Sequence, residues 1–230
     1  VLGECLPQGR LDVGRTLEIL ADTHVGYFLL ALGITLVTTW PMALRWKWLL
    51  DAKAIHDRLG WLTRAYFVSY AAGQVLPTAV GGDAARIYET SKRHPGNTGT
   101  IAGSVILERA IGGAATLLLA AVGLALAIGE YDVAVYLWIE AFFVVATVIA
   151  GFVIFSKRLR SRLRRFRPLL AKLRIERPVR GLYRGMHGYR DSVRVLLAVF
   201  VLTIGVQIVR ILSIWLCGEA VGLDVSPVVY

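Results

Sequence analysis

The chain carries little equipment for chemistry in water. Charged residues fill only 18% of its 230 positions, and it has two cysteines and four histidines. Cys5 and Cys217 show neither disulfide nor metal-ligand spacing, so they define no redox compartment. His24, His56, His94 and His187 are scattered and read as surface residues, so no metal site is expected. There is no phosphate-binding glycine loop followed by lysine, no Asp-x-Asp pair and no Ser/His/Asp grouping. Nor is there a polar stretch large enough to fold as a soluble nucleotide-using domain. Together these absences argue against a soluble enzyme, and no cofactor is expected. No cleavable signal peptide is visible. The chain opens on Val1 rather than Met, so a missing N-terminal piece is expected.

What the chain has in quantity is apolar sequence, at 56% hydrophobic residues and a mean hydropathy of +0.60. The apolar residues gather into five stretches, and a bilayer core needs about 20 such residues per helix. Four stretches read as spans, at about 25–44, 101–128, 133–155 and 195–217. Arg45, Trp46, Lys47 and Trp48 close the first and read as an interfacial anchor. The stretch at 61–80 is weaker, with Arg64, Ser69 and Gln74 inside it and Pro77 near its end.

Charge is concentrated as well. Residues 157–194 hold fourteen of the 26 basic residues and two of the 16 acidic ones, a local +12, while the rest of the chain stands at −2. Basic loops face the cytoplasm, so this segment is placed inside. The acidic turn with Glu130 and Asp132 is then outside, as is the tail with Glu219 and Asp224. The stretch from 101 must therefore run outward. The loop at 45–60 and the segment with Lys92 and Arg93 both read as cytoplasmic, so the chain between them enters and returns on one side. A re-entrant hairpin over about 61–95, broken near Pro77, Gly81 and Gly82, satisfies this, because irregular backbone at membrane depth is tolerated where protein or a cavity surrounds it. The alternative is a stretch lying flat at the interface.

The basic segment reads as two amphipathic helices. Leu159, Leu163, Phe166, Leu170 and Leu173 line one, which Pro168 should kink, and Val179, Leu182, Met186, Tyr189 and Val193 line the other. Such helices lie against anionic lipid, or simply fix topology.

Residues 77–86, PTAVGGDAAR, carry the sharpest local pattern. Gly81 and Gly82 permit a turn and close approach, Asp83 suits the N-cap of a helix starting at Ala84, and Arg86 adds a bidentate donor one turn on. A phosphate receptor and an ordinary capped junction both fit. Further polar residues fall inside the spans, where a charge costs roughly 2.5–3.5 kcal/mol on insertion scales and is usually paired or faces a cavity. Glu108 and Arg109 are adjacent, hence about 100° apart on a helix, and each needs its own partner. Thr203, Gln207, Arg210, Ser213 and Cys217 recur on one helical face, which suggests a lined cavity or an interhelical seam. Glu140 either snorkels or pairs with an arginine.

The run YAAGQVLPTAVGGDAARIYETSKRH, followed by VILERAIGG, resembles the transmembrane region of lysylphosphatidylglycerol synthases and related flippase-like membrane proteins. LRWKWLL upstream and VQIVRILSIWLCGEAVGLDVS downstream are similar too, so the likeness covers nearly the whole chain. It implies an all-α, polytopic transmembrane helical bundle with a re-entrant hairpin and cytoplasmic amphipathic helices, set in the bacterial plasma membrane. It also implies transport of an anionic phospholipid or polyprenyl-phosphate-linked group between leaflets. Membrane lipids would be its partners, with an enzyme of lipid or glycan synthesis as a possible further one, and nucleic acid would not. On this reading Arg86, Arg109 and Arg210 contact lipid phosphate. Pro77, Gly81, Gly82 and Asp83 shape the hairpin, and Glu108, Gln207 and Glu140 are the intramembrane polar residues. The family's second Pro/Gly-rich motif ending in Arg-Glu and its fused aminoacyl-transferring domain are not in this sequence. The 230 residues are thus expected to be a single membrane domain, the first part of a longer one. A membrane transferase acting on a lipid phosphate, with Asp83 or Glu108 as general base, and a non-catalytic membrane partner are the competing readings.

Overall fold

The structure, a computed structural model, describes residues 25–75, 79–127, 134–155 and 176–222. The chain is an all-α helical membrane protein, and no strand occurs among the described residues. Its helices are α1 (Val25–Asp51), α2 (Leu59–Val75), α3 (Ala79–Arg93), α4 (Thr98–Ala127), α5 (Ala134–Phe155), α6 (Glu176–His187) and α7 (Val193–Ala220). A 3-10 turn, Gly188–Asp191, joins the last two. Among the described residues three helices are long and apolar enough to cross a membrane: α1, α4 over Thr98–Leu126, and α7. Helix α5, 22 residues with Glu140 as its one charged residue, is apolar as well, with Trp138 80% and Phe152 76% exposed. Large aromatic surfaces of that kind fit a lipid solvent rather than water.

The chain divides into two compact units. The larger, Val37–Ile208, contains the hairpin, α4, α5, α6 and the inner parts of α1 and α7. Its core joins Ala43, Trp46 and Leu50 of α1 to Leu62, Ala65 and Tyr66 of α2 and Ile101 and Val105 of α4. A second cluster sets Leu49 of α1 against Leu107 of α4, Tyr189 of the 3-10 turn and Val199 of α7. In the smaller unit, which holds the start of α1 and the end of α7, Ser213 donates to the Ala31 carbonyl at 3.0 Å and lies 3.2 Å from the Thr35 hydroxyl.

Helix α1 does not stop at residue 44, where the apolar run ends. It continues to Asp51 and closes in a left-handed cap, with Ala54 at φ 56°. The Ile55 N–H reaches the Leu50 carbonyl at 3.1 Å and the Ala54 N–H reaches that of Asp51 at 3.0 Å, the paired bonds of a Schellman motif. Ile55 and Leu50 then meet in the core, the apolar contact that accompanies such caps.

Helices α2 and α3 pack antiparallel as a hairpin. At its closed end Gly82 lies so near Ser69 that a Cβ there would stand 2.4 Å from the Ser69 carbonyl oxygen. At its open end Asp57 binds Arg93 and His94. At 1.5 Å per residue the 17- and 15-residue legs are only about 25 and 22 Å long, short of a hydrocarbon core of about 30 Å.

The second basic helix, α6, is docked by glycines. A Cβ on Gly99 of α4 would lie 2.7 Å from the Gly181 Cα, and one on Gly185 of α6 would lie 2.8 Å from the Gly99 carbonyl oxygen. Gly99 and Gly103 thus face Gly181 and Gly185, the small-x-x-x-small spacing that lets two helix backbones touch. The buried Tyr189 hydroxyl then donates to the Leu49 carbonyl at 2.8 Å, tying the 3-10 turn to α1. The first basic helix expected, around Leu159–Leu173, lies outside the described residues, as do Pro77, Glu130 and Asp132.

Candidate functional site

Four helices of the larger unit each send one polar side chain to a single buried point. The centre is Glu108 of α4, 1% exposed. Its Oε1 accepts from Arg45 Nε of α1 at 2.7 Å and from the Tyr66 hydroxyl of α2. Its Oε2 accepts from Arg86 Nη1 of α3 at 2.9 Å. Arg45 also donates through Nη1 to the Thr203 hydroxyl of α7 at 3.1 Å. A carboxylate so deep in apolar surroundings requires this many donors, since an unpaired buried charge is strongly unfavourable.

Arg86 is 3% exposed and anchored on every side. Its Cζ stands 4.9 Å from the Trp46 ring centre and 4.6 Å from that of Tyr66. Both rings are themselves fixed. Trp46 donates through Nε1 to the Ser104 hydroxyl at 3.0 Å and meets Tyr66 edge-on, with centroids 5.8 Å apart. The other edge of the Arg86 guanidinium binds Asp83 Oδ1, with Nη2 at 3.0 Å and Nε at 3.2 Å.

Asp83 completes the cluster. Its Oδ2 accepts from Arg109 Nε of α4, whose side chain is 58% exposed. Glu108 and Arg109 therefore turn to different partners, as neighbours on a helix must. Among these groups three guanidiniums meet two carboxylates, and the charge passes from a sealed interior at Glu108 to an open edge at Arg109.

The structure brings Asp83, Arg86, Glu108 and Arg109 together, and it alters how the glycine block works. Helix α3 already begins at Ala79, so Gly81 and Gly82 lie within it and Asp83 is not the N-cap of a helix starting at Ala84. Asp83 is committed to two arginines instead. Gly82 serves close approach, against Ser69, rather than a positive φ. Arg45 and Trp46 are likewise core residues, not an interfacial anchor, because α1 carries them past the apolar run into the larger unit.

The polar face of α7 forms interhelical hydrogen bonds. Besides Thr203 with Arg45, Gln207 donates to the Thr116 hydroxyl of α4 at 2.6 Å. Arg210 is exposed and belongs to the smaller unit. Glu140 on α5 has a buried Oε1 with no hydrogen-bond partner among the described residues.

A second ionic group closes the open end of the hairpin. Asp57, in the α1–α2 linker, has a side chain only 3% exposed. It accepts from Arg93 Nη2 and His94 Nε2, both at 2.8 Å. Burial pushes its pKa up, but the hydrogen bonds from Arg93 and His94 outweigh this and hold it below the ordinary aspartate value.

Tyr66 is a neighbour in this cluster that the sequence did not single out, and Arg45 and Trp46 were singled out only as an interfacial anchor. One signal was available: a buried Glu108 beside an Arg109 turned elsewhere demands a cation from another helix, and Arg45 is one of the few near a span. No curated protein and no solved structure matches the chain. The model of one family, described as the lysylphosphatidylglycerol synthase TM region, matches residues 6–230. The chain therefore belongs to the family of lysylphosphatidylglycerol synthase transmembrane regions.

Proposed function

We propose that this membrane domain binds an anionic phospholipid or a polyprenyl-phosphate-linked group and passes it between leaflets. The observation that carries the reading is the graded cluster, in which a sealed Glu108 hub positions Arg86 and Asp83 and leaves Arg109 at an open edge. Moving a phosphate headgroup through hydrocarbon requires replacing part of its hydration, and exposed guanidinium donors beside a buried ionic scaffold do so. Arg109 is the phosphate contact, and Arg86, its donors turned to two carboxylates, acts by holding Asp83 and Glu108 in place. The hairpin enters from the cytoplasmic side and returns there, with its short legs inside the bilayer and Gly82 closing the tip. Arg210, on the smaller unit, is a further candidate contact. The family match supports a lipid-related role for a membrane domain of this type.

A transferase would need a free base. Glu108, bonded by two arginines and a tyrosine, is poorly placed to take a proton. The reading is tested by adding phosphatidylglycerol to the purified protein in detergent and measuring thermal unfolding. Ligand stabilisation follows RT ln(1 + [L]/Kd), about 2.7 kcal/mol at a hundredfold excess over Kd. Arg109→Gln should stay folded yet lose that stabilisation. A variant that is less stable without lipid but still fully stabilised by it would make Arg109 a structural partner of Asp83 and move the search to Arg210.

A further inference from the structure

We propose that the outer face of α3 is the headgroup's path into the site, a wet wall that an anionic phospholipid follows from the inner leaflet while its acyl chains stay against α2. This inference rests on the lipid-transport reading above and names the route by which the ligand arrives.

Three observations carry it. First, the two legs of the hairpin present different chemistry on their outer faces. Helix α2 exposes Phe67, Val68 and Tyr70, an apolar and aromatic surface suited to acyl chains. Helix α3 exposes Ala84, Tyr88, Glu89 and Lys92 instead, while Gly82, Asp83, Arg86 and Thr90 form its buried side. Second, the exposed residues of α3 make one strip. At about 100° per residue, Ala84, Tyr88 and Lys92 fall within about 80° of one another, with Glu89 bordering them. Lys92 Nζ stands 4.2 Å from the Tyr88 ring centre, so the cation lies over the strip. Third, the strip leads from the mouth of the hairpin to the open edge of the buried cluster. At 1.5 Å per residue, Asp83 lies about 15 Å from the end of α3 at Arg93, and Arg109 about 17 Å from the start of α4 at Thr98. The two depths agree, and Asp83 and Arg109 meet there. A guanidinium whose side chain is 58% exposed that far along a span is costly against hydrocarbon, so water or a polar group covers it.

The consequence is a division of solvents along one hairpin. The phosphate keeps polar surroundings from Lys92 at the cytoplasmic mouth to Arg109 at depth, and only the chains meet lipid. Glu89 offsets Lys92, so the mouth is polar without trapping the anion, and a path that passes its ligand onward needs such weak binding. No side chain of the Glu108 network has to move for the headgroup to arrive.

The test uses the full chain in phosphatidylcholine nanodiscs, with Cys5 and Cys217 replaced by serine and the single substitutions Ala84→Cys, Tyr88→Cys, Val68→Cys and Asn97→Cys. The readout is the rate of reaction with a charged, lipid-insoluble thiosulfonate. Asn97→Cys, in the exposed turn between α3 and α4, sets the rate in water. Ala84→Cys and Tyr88→Cys should react within about tenfold of it, and Val68→Cys on α2 about a hundredfold more slowly, because access governs thiol reaction. Phosphatidylglycerol added to the discs should slow Ala84→Cys relative to Asn97→Cys, and uncharged diacylglycerol should not. Ala84→Cys as slow as Val68→Cys would overturn the proposal, since lipid or protein then covers the strip. So would a Val68→Cys rate equal to that of Ala84→Cys, which takes the hairpin out of the bilayer. A fast Ala84→Cys that phosphatidylglycerol does not protect, or that diacylglycerol protects equally, would mean that no anionic headgroup follows the wall, and overturns it as well. Protection that persists in Arg109→Gln would support the route while removing Arg109 as the phosphate contact, so the two readings fail separately. Tyr88→Cys gives the same comparisons if Ala84→Cys does not fold.

Discussion

At the scale of single residues, Glu108 is the most consequential side chain. It joins helices α1, α2, α3 and α4, and breaking a buried pair by removing one partner costs about 3–5 kcal/mol because the remaining charge is left uncompensated. Glu108→Gln should therefore lower the thermal midpoint in detergent sharply, with or without lipid, where Arg109→Gln lowers it little. Asp57 acts through pH. Its folded pKa lies below its unfolded one, so its contribution is complete above the ordinary aspartate value of about 3.9 and disappears as pH falls through the lower folded value. Acid titration of stability from pH 6 to pH 3 should show a slope in the wild type that Asp57→Asn lacks; parallel curves would mean that Asp57 carries no such linkage. The polar residues of the cluster were partly legible. Glu108, Arg109 and the Gly-Gly-Asp-x-x-Arg block stand out as charge within apolar sequence. Arg45 did not, because an arginine at the end of an apolar run looks the same whether it snorkels to the interface or turns into the core. Only the continuation of α1 to Asp51 decides between these, and local composition near residue 45 resembles that of a loop.

At the scale of elements, backbone geometry supplies the clearest expectations. Ala54 closes α1 in a left-handed conformation that disfavours any side chain, so Ala54→Gly should raise stability by about 1 kcal/mol. Gly82→Ala would drive a Cβ into the Ser69 carbonyl, and overpacking of this kind costs about 1–3 kcal/mol, whereas Gly73→Ala on α2 meets nothing within 4 Å. Comparing the two melting points tests whether the hairpin legs touch at Ser69. Gly185→Leu should prise α6 from α4 and lower the thermal midpoint, because its side chain would be driven into the Gly99 carbonyl. The apolar runs forecast the helices well, since length and hydropathy govern them. The start of α3 was misjudged because paired glycines read locally as a turn. Inside the fold they serve helix packing, which depends on Ser69 thirteen residues upstream of Gly82. The glycine crossing of α4 and α6 was present in the sequence as two Gly-x-x-x-Gly spacings, at 99–103 and 181–185. It was obscured by the arginines that made α6 look like a lipid-surface helix.

At the scale of the whole molecule, this helical membrane domain packs its helices around charge instead of excluding it. Loop charge predicts the topology: single cysteines at Thr98 and Tyr131, in a background lacking Cys5 and Cys217, should react from opposite sides of the membrane. Reaction from one side would remove the argument for a re-entrant hairpin. The central claim, that Arg109 and its scaffold let an anionic headgroup cross, is tested most directly in proteoliposomes carrying fluorescent phosphatidylglycerol. Dithionite quenching from outside reports how fast inner-leaflet lipid becomes accessible. The wild-type chain should accelerate that exposure well above protein-free vesicles, and Arg109→Gln should return it to the protein-free rate while remaining folded. Equal rates for the wild type and Arg109→Gln, or a wild-type rate no faster than that of empty vesicles, would contradict the account.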